Sequence, residues 1–196
     1  MVGAGQLGKH GSIAAERQGR VHQIGCVIRG KIAEQVLAAP ADARILLNLH
    51  PTDLVDEELY RAEAPRTAFA SRVILEVTER APLDGVADRR TRIRKLRKLE
   101  FRIALDDLGA GYAGLTTFTK LEPDIVKLDM VFARGIEIDF TKQHLVKSML
   151  AMCSQLHVKV IAEGIERSMF EYLGCDLIQG YLFARRERDF PVPVHT

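Results

Sequence analysis

Six short and almost continuously apolar runs recur along this chain, and each ends in a polar side chain suited to a metal ion or a phosphate. Helical periodicity fills the stretches between them, which predicts parallel strands joined by right-handed crossovers. A parallel barrel gathers the carboxyl ends of its strands at one mouth, where active sites lie. The sequence therefore predicts an α/β barrel with one site, formed by Asn48, Glu76, Asp106 with Asp107, Lys127, Glu163 and Gln179.

Composition restricts the chain to a folded, globular class. Its 196 residues predict a single domain over 1–196, and a hydrophobic fraction of 47% is enough for a core. A net charge of +2 gives no field that would favour a nucleic-acid polymer or a membrane surface. The sequence contains no apolar run long enough to span a bilayer, and its start lacks the features of a signal peptide. Three scattered cysteines fit reduced thiols, so we expect a cytoplasmic protein.

Helices are predicted over 14–39, 53–61, 86–99 and 143–156. The second should begin at an N-cap provided by Thr52 or Asp53. The fourth should bury a stripe of apolar side chains, namely Leu145, Met149, Met152 and Leu156. The charged and then proline-rich residues 184–196 are expected to be a flexible tail.

The polar groups that end the runs share one chemistry, because nearly all of them offer oxygen. Oxygen ligands suit Mg²⁺ or Mn²⁺ better than zinc. The adjacent carboxylates of Asp106 and Asp107 could bridge two ions, as in sites for in-line attack on a phosphodiester. Lys127 is placed to hold a phosphate oxygen, and Glu163 is the leading candidate for the base that orients water. Any one of these residues alone is better explained as a loop or cap residue, but the agreement of six strand ends favours a site.

A glycine-rich stretch, 107–114, directly follows the paired aspartates. It is either a permissive turn or a flap that closes on substrate. Its place beside the acidic residues slightly favours the flap.

The most basic stretch, 89–98, could contact nucleic acid or an acidic partner. The solvated face of a helix is the better interpretation, because Ile93 and Leu96 give the helix an apolar side and no aromatic residues are interleaved. Phe118, Phe132 and Phe170 are expected in the core or an interface.

Five ordered motifs between about residues 14 and 183 resemble those of one family. They are Glu76-Val77-Thr78-Glu79, Asp106-Asp107-Leu108-Gly109-Ala110-Gly111-Tyr112, Lys127-Leu128-Asp129, Ala162-Glu163-Gly164-Ile165-Glu166 and Gln179-Gly180-Tyr181-Leu182-Phe183. Together they resemble the EAL domains, the cyclic di-GMP phosphodiesterases of bacterial signalling.

The resemblance implies a modified TIM (β/α)8 barrel that hydrolyses cyclic di-GMP to linear pGpG with Mg²⁺ or Mn²⁺, with two ions expected. It also implies a homodimer, with a fused or partner sensory domain. Carried over by motif, the metal ligands would be Asn48, Glu76, Asp106 and Asp107. Glu163 and Lys127 would be catalytic, while Asp129, Glu166 and Gln179 would support metal and substrate. Glu79 would anchor the glycine-rich stretch.

The chain departs from the family at the motif that gives the family its name. Glu-Ala-Leu does not occur; the best match in context is Val2-Gly3-Ala4-Gly5-Gln6-Leu7, with Gly5 in place of the metal-binding Glu. A second shortening near residue 167 leaves too few residues for a crossover helix. Either the chain is a shortened, degenerate member, or stretches near residues 5 and 167 are left out of it. We favour the second, because the remaining site is so complete.

Two functions from different classes follow. One is a metal-dependent cyclic di-GMP phosphodiesterase. The other is a catalytically degenerate EAL domain that senses cyclic di-GMP or binds a protein partner. A different two-metal phosphodiesterase on a similar barrel is a weaker alternative.

Overall fold

The computed structural model describes residues 36–37, 39–41, 43–64, 67–78, 88–109, 114–163 and 174, and the backbone of 177–179. Six strands form one parallel sheet in the order in which they follow one another along the chain. They are β1 (Ile45–Asn48), β2 (Val73–Thr78), β3 (Arg102–Leu108), β4 (Ile125–Leu128), β5 (Lys159–Glu163) and β6 (Leu177–Gln179). Each strand pairs with its successor without skipping, as in a barrel and unlike a doubly wound sheet. All six predicted strands are confirmed.

From β2 to β5, α-helices cross between consecutive strands, as the alternation predicted. Helix α1 (Arg89–Lys98) joins β2 to β3, and α2 (Gly114–Leu121) joins β3 to β4. Helices α3 (Met130–Ala133) and α4 (Phe140–Gln155) both lie between β4 and β5. Among the described residues, no helix is long and apolar enough to cross a membrane.

The single helix predicted over 53–61 is wrong. The segment forms two 3₁₀ helices, Pro51–Val55 and Glu57–Tyr60, and a third, Thr67–Arg72, precedes β2. The first is capped by His50, whose Nδ1 accepts from Thr52 N at 3.2 Å. Asp56 then ends the first helix and caps the second, accepting from Glu58 N at 3.0 Å. Because His50 and Asp56 each begin a new helix, this segment forms two short helices where periodicity predicted one.

The buried face predicted for 143–156 is also partly wrong. Helix α4 begins at Phe140 behind the N-cap Asp139, and its side chains at Leu145 and Leu156 are 49% and 54% exposed. Val146 and Cys153 are buried instead. Apolar residues occur on more than one side of this helix, so periodicity alone could not choose the inward face.

The core is divided into two layers by the alternation of side chains along the strands. One layer takes one residue from each of five strands: Leu46, Ile74, Ala104, Ile125 and Ile161. The alternate residues, such as Leu47, Leu75 and Leu105, belong to a larger cluster that includes α1, α2 and α4. The smaller layer is therefore the interior of the barrel arc, and the larger one joins the strands to their helices.

Several predictions fall outside the described residues. They concern most of helix 14–39, the segment around Gly5, the stretch near residue 167 and the tail 184–196.

Candidate active site

On each of the five strands that supply the interior layer, the site residue lies two positions beyond the interior residue. Leu46 is followed in this way by Asn48, and Ile74 by Glu76. The same step leads from the other interior residues to Asp106, Lys127 and Glu163. Because side chains alternate with a period of two, these polar groups share the inner face and form the next layer toward the carboxyl ends. The structure thus brings together polar groups that the sequence distributes over 116 positions, from 48 to 163.

Lys127 is the hub of this layer. Its ammonium Nζ lies 2.8 Å from Glu76 Oε1, 2.9 Å from Asp106 Oδ1 and 2.8 Å from Glu163 Oε1. The sequence predicted that Lys127 holds a phosphate or a metal-site water, and did not predict that one ammonium binds three carboxylates. Asp106 and Glu163 lie on β3 and β5, the two neighbours of β4, and Glu76 lies one strand further away, on β2.

Depth distinguishes the three carboxylates. The side chains of Glu76 and Asp106 are 3% and 1% exposed, whereas that of Glu163 is 18% exposed. Glu163 is therefore the carboxylate of this group that solvent or a small substrate reaches most easily. With all groups ionised, three negative charges face one positive charge, which leaves two negative charges in excess.

Electrostatic competition in the cluster shifts two pKa values. Burial raises the pKa of Glu76 to about 7; Lys127 opposes this rise, while the charges of Asp106 and Glu163 add to it. Burial acts to lower the pKa of Lys127, but the three carboxylates outweigh it and raise that pKa above its usual value. Lys127 is therefore a permanent cation, and its charge is insufficient for all three acids.

A bulge in β3 lies at the paired aspartates. Leu105 pairs with Val126 and Leu108 pairs with Leu128, so β3 places two residues, Asp106 and Asp107, where β4 has only Lys127. Asp107 takes a left-handed backbone conformation with φ of 60°. Bulges of this kind redirect side chains beside active sites. An uninterrupted strand would send adjacent side chains to opposite faces, so the bulge makes a joint role for both aspartates possible.

Asn48 and Gln179 are placed by register. Asn48 pairs with Glu76 across β1 and β2, and Gln179 pairs with Glu163 across β5 and β6. Both residues are thus level with members of the cluster. The backbone alone is described for Gln179.

Asp129 has a visible structural role. Its Oδ1 accepts from Val131 N at 2.8 Å, and it is the N-cap of α3. The predicted supporting role of Asp129 toward substrate stays a prediction. Glu79 and Glu166 lie outside the described residues.

The residues of the site fit a divalent cation in donor type and in charge. All the acidic donors are oxygens, the type that Mg²⁺ and Mn²⁺ prefer, and the two excess negative charges match one such ion. In the described part of the chain, however, no three His, Cys, Asp or Glu side chains are arranged to hold a metal ion by themselves. The Lys127 ammonium lies between the carboxylates instead.

Comparison with known proteins agrees with this geometry. The model of the EAL domain matches residues 10–186. The chain is 34% identical over 142 residues to cyclic di-GMP phosphodiesterase NbdA of Pseudomonas aeruginosa, covering 70% of this chain and 18% of NbdA. It is 30% identical over 169 residues to cyclic di-GMP phosphodiesterase RocR of the same species, covering 82% of this chain and 42% of RocR.

A solved structure shares the fold. Klebsiella pneumoniae BlrP1, in a complex with manganese and cyclic di-GMP at pH 9.0, superposes with a TM-score of 0.73 and 30% identity. The match covers 84% of this chain and 45% of BlrP1. The fold and the site define an α/β barrel of the TIM type with an acidic, lysine-centred mouth. The chain belongs to the EAL domain family, and it spans less than half the length of NbdA, RocR or BlrP1.

Proposed function

We propose that this chain hydrolyses cyclic di-GMP to linear pGpG with the help of Mg²⁺ or Mn²⁺. The observation that carries the proposal is the buried contact of Lys127 with Glu76, Asp106 and Glu163 at the mouth of the barrel. An excess of negative charge there suits divalent ions, which in turn suit a substrate that carries phosphodiesters. The family membership and the names of NbdA and RocR support the same substrate.

The residues proposed as metal ligands are Asn48, Glu76, Asp106 and Asp107. Two ions are proposed, because adjacent carboxylates such as those of Asp106 and Asp107 at the bulge can bridge two metal ions. When bound, such ions supply Lewis acidity toward a water and a phosphate oxygen. Gln179, Asp129 and Glu166 are proposed to support substrate or metal, and Glu79 to anchor the glycine-rich stretch.

Lys127 and Glu163 are the proposed catalytic pair. Glu163 is the most exposed of the three carboxylates, and its ion pair with Lys127 orients it. It takes a proton from water while the water oxygen bonds to phosphorus. One ester bond of the cyclic substrate breaks, and the released ribose oxygen gains a proton from solvent. Lys127 compensates the negative charge that develops on the phosphate.

A homodimer is proposed from the surface around α3 and α4. Exposed apolar side chains gather in sequence there: Met130, Val131, Ile138, Phe140 and Leu145 are between 40% and 82% exposed. Burying them against a second copy would remove apolar area from water. Light scattering at several concentrations would measure the mass. A cytoplasmic location and a sensory domain in the same or a partner protein complete the proposal.

Turnover is tested by incubating the full 196-residue chain with cyclic di-GMP and either Mn²⁺ or Mg²⁺, followed by chromatography for pGpG. Glu163→Gln, which keeps the shape of the side chain, should lower kcat by about 10²- to 10⁴-fold while Mn²⁺ still binds. A folded wild-type chain that releases no pGpG in either metal would refute the proposal.

The second candidate is a sensor that binds cyclic di-GMP without cleaving it. Gly5 favours this candidate, because the resemblance to the family places a metal-binding Glu at this position, and the chain has Gly there. Calorimetry separates the two functions. Tight binding of cyclic di-GMP without metal and without pGpG would support the sensor, whereas metal-dependent release of pGpG would support the enzyme.

A further inference from the structure

Phe132 of α3 lies against Gly109, the residue that directly follows β3. A Cβ added at Gly109 would overlap the Phe132 ring at Cε2, Cζ and Cδ2. Gly109 also has φ of 99°, a conformation that side chains rarely allow. The ring therefore occupies the space that a side chain at position 109 would need. The Phe132 ring of α3 lies directly against the backbone of Gly109 at the end of β3.

The ring is held there by the end of β4. Asp129 N donates to Leu108 O at 3.2 Å, which ties the residue after β4 to the last residue of β3. Asp129 also caps α3, and Phe132 N donates to Asp129 O at 3.0 Å. This capped turn presents Phe132 to Gly109, with the ring half-buried against the main core.

Gly109 is only two residues from Asp107, which is held in a left-handed conformation at the bulge. Non-glycine residues keep such conformations where their surroundings fix them from both sides. On one side, Asp106 Oδ1 is fixed 2.9 Å from Lys127 Nζ. On the other side, Leu108 is buried and Gly109 is covered by Phe132.

We propose that Phe132 is a positioning residue, which holds the carboxylates of Asp106 and Asp107 in place by fixing the chain at Gly109. Phe132 does not act on substrate itself. The inference rests on the proposed function, because it takes these aspartates as metal ligands. Groups that orient metal ligands typically change affinity or activity by 10- to 100-fold when removed.

The test compares Phe132→Ala with a matched control, Phe69→Ala. Phe69 is also partly buried against the main core, but it lies in the 3₁₀ helix Thr67–Arg72, which enters β2 at the end of the strand away from the site. Both variants remove the same ring, so both should lose stability in urea. Calorimetry with Mn²⁺ on the full 196-residue chain should show at least tenfold weaker binding for Phe132→Ala and less than twofold for Phe69→Ala.

Kinetics gives a second readout that a purely structural role would not change. At saturating Mn²⁺, Phe132→Ala should lower kcat at least tenfold and change KM less than threefold, because the ring orients reacting groups and does not bind substrate. If Phe132→Ala does not fold, Phe132→Leu provides the same comparison.

A double variant tests the contact directly. Gly109→Ala should weaken Mn²⁺ binding through the clash with the ring. Adding Phe132→Ala should recover at least threefold, although the unfavourable φ prevents full recovery. Strictly additive losses would overturn the proposal.

Failure of the inference and failure of the proposed function give different results. A wild type that cleaves cyclic di-GMP, with Phe132→Ala no different from Phe69→Ala in Mn²⁺ affinity, overturns the role of Phe132 alone. A wild type that binds Mn²⁺ but releases no pGpG refutes the hydrolysis, while the Mn²⁺ comparison still decides the role of Phe132. Absence of Mn²⁺ binding to the wild type overturns both.

Discussion

Lys127 Nζ lies 2.8 Å from Glu76 Oε1, with the two side chains only 4% and 3% exposed. A buried pair of this kind is weak support for the fold, because removing two charges from water costs about as much as their attraction returns. Here one ammonium is shared among three carboxylates, so the cluster remains short of positive charge. Its composition therefore fits the proposed metal site better than it fits a role in stability.

Removal of the hub charge should destabilise the metal-free protein. Lys127→Met leaves three buried or half-buried carboxylates without their cation, which should lower the free energy of unfolding by about 3–5 kcal/mol. Urea unfolding at pH 7.5 in EDTA measures the loss. Lys98→Met on the exposed side of α1 is the control and should stay within about 0.5 kcal/mol. Equal effects of the two variants would contradict a buried role for Lys127.

Stability of the metal-free protein should fall as pH rises from about 4.5 to about 7, to the extent that Glu76 contributes. The folded state holds the Glu76 proton up to about pH 7, while the unfolded chain releases it near 4.5. The folded state thus binds more protons in this window, and the free energy of unfolding decreases with rising pH. The full contribution is on the order of 3 kcal/mol.

Glu76→Gln isolates this contribution, because the amide stays neutral. The difference between wild-type and variant unfolding free energies, measured in EDTA from pH 4 to 8, should change steadily through the window and level off above it. A difference that is independent of pH would show that Glu76 has its ordinary pKa in the folded protein.

The correction to the buried face of α4 gives a matched pair of variants. Val146 is fully buried, whereas Leu145 beside it is 49% exposed. At concentrations where the chain is monomeric, Val146→Ala should cost about 2 kcal/mol of unfolding free energy, and Leu145→Ala less than about 1 kcal/mol, because only the first leaves a cavity. Urea unfolding monitored by circular dichroism measures both. A larger loss for Leu145→Ala than for Val146→Ala would instead support the buried face that periodicity predicted for this helix.

A glutamate at position 5 should raise turnover if the proposed hydrolysis needs a carboxylate there. Gly5→Glu together with Gln6→Ala rebuilds Glu-Ala-Leu with Leu7. A carboxylate at this position should raise kcat/KM for cyclic di-GMP at least tenfold in Mn²⁺, because it would add a ligand to the proposed metal site. Release of pGpG is the measurement, and Gly3→Glu, two positions earlier, is the control. No gain over that control would indicate that position 5 does not supply a ligand.

The positions of the strands were predictable because each barrel strand has a recognisable pattern in its own local sequence. Runs such as Ile45–Asn48 are buried on both faces, so they read as continuous apolar stretches with a polar end. The short helices were less predictable. In 51–60, caps from His50 and Asp56 override helical periodicity, and such caps depend on the exact backbone path.

The sequence alone determined which residues form the mouth of the barrel, because strand order and the period of two place Asn48, Glu76, Asp106, Lys127 and Glu163 at one level. Only the tertiary structure decided how these residues interact: that Lys127 is shared by three carboxylates, that β3 bulges at the aspartates, and that Phe132 covers Gly109. The alternation of side chains along a strand and the polarity of the residue that ends it are local properties of the sequence. Distances between side chains on different strands depend on register, bulges and packing, which exist only in the folded protein.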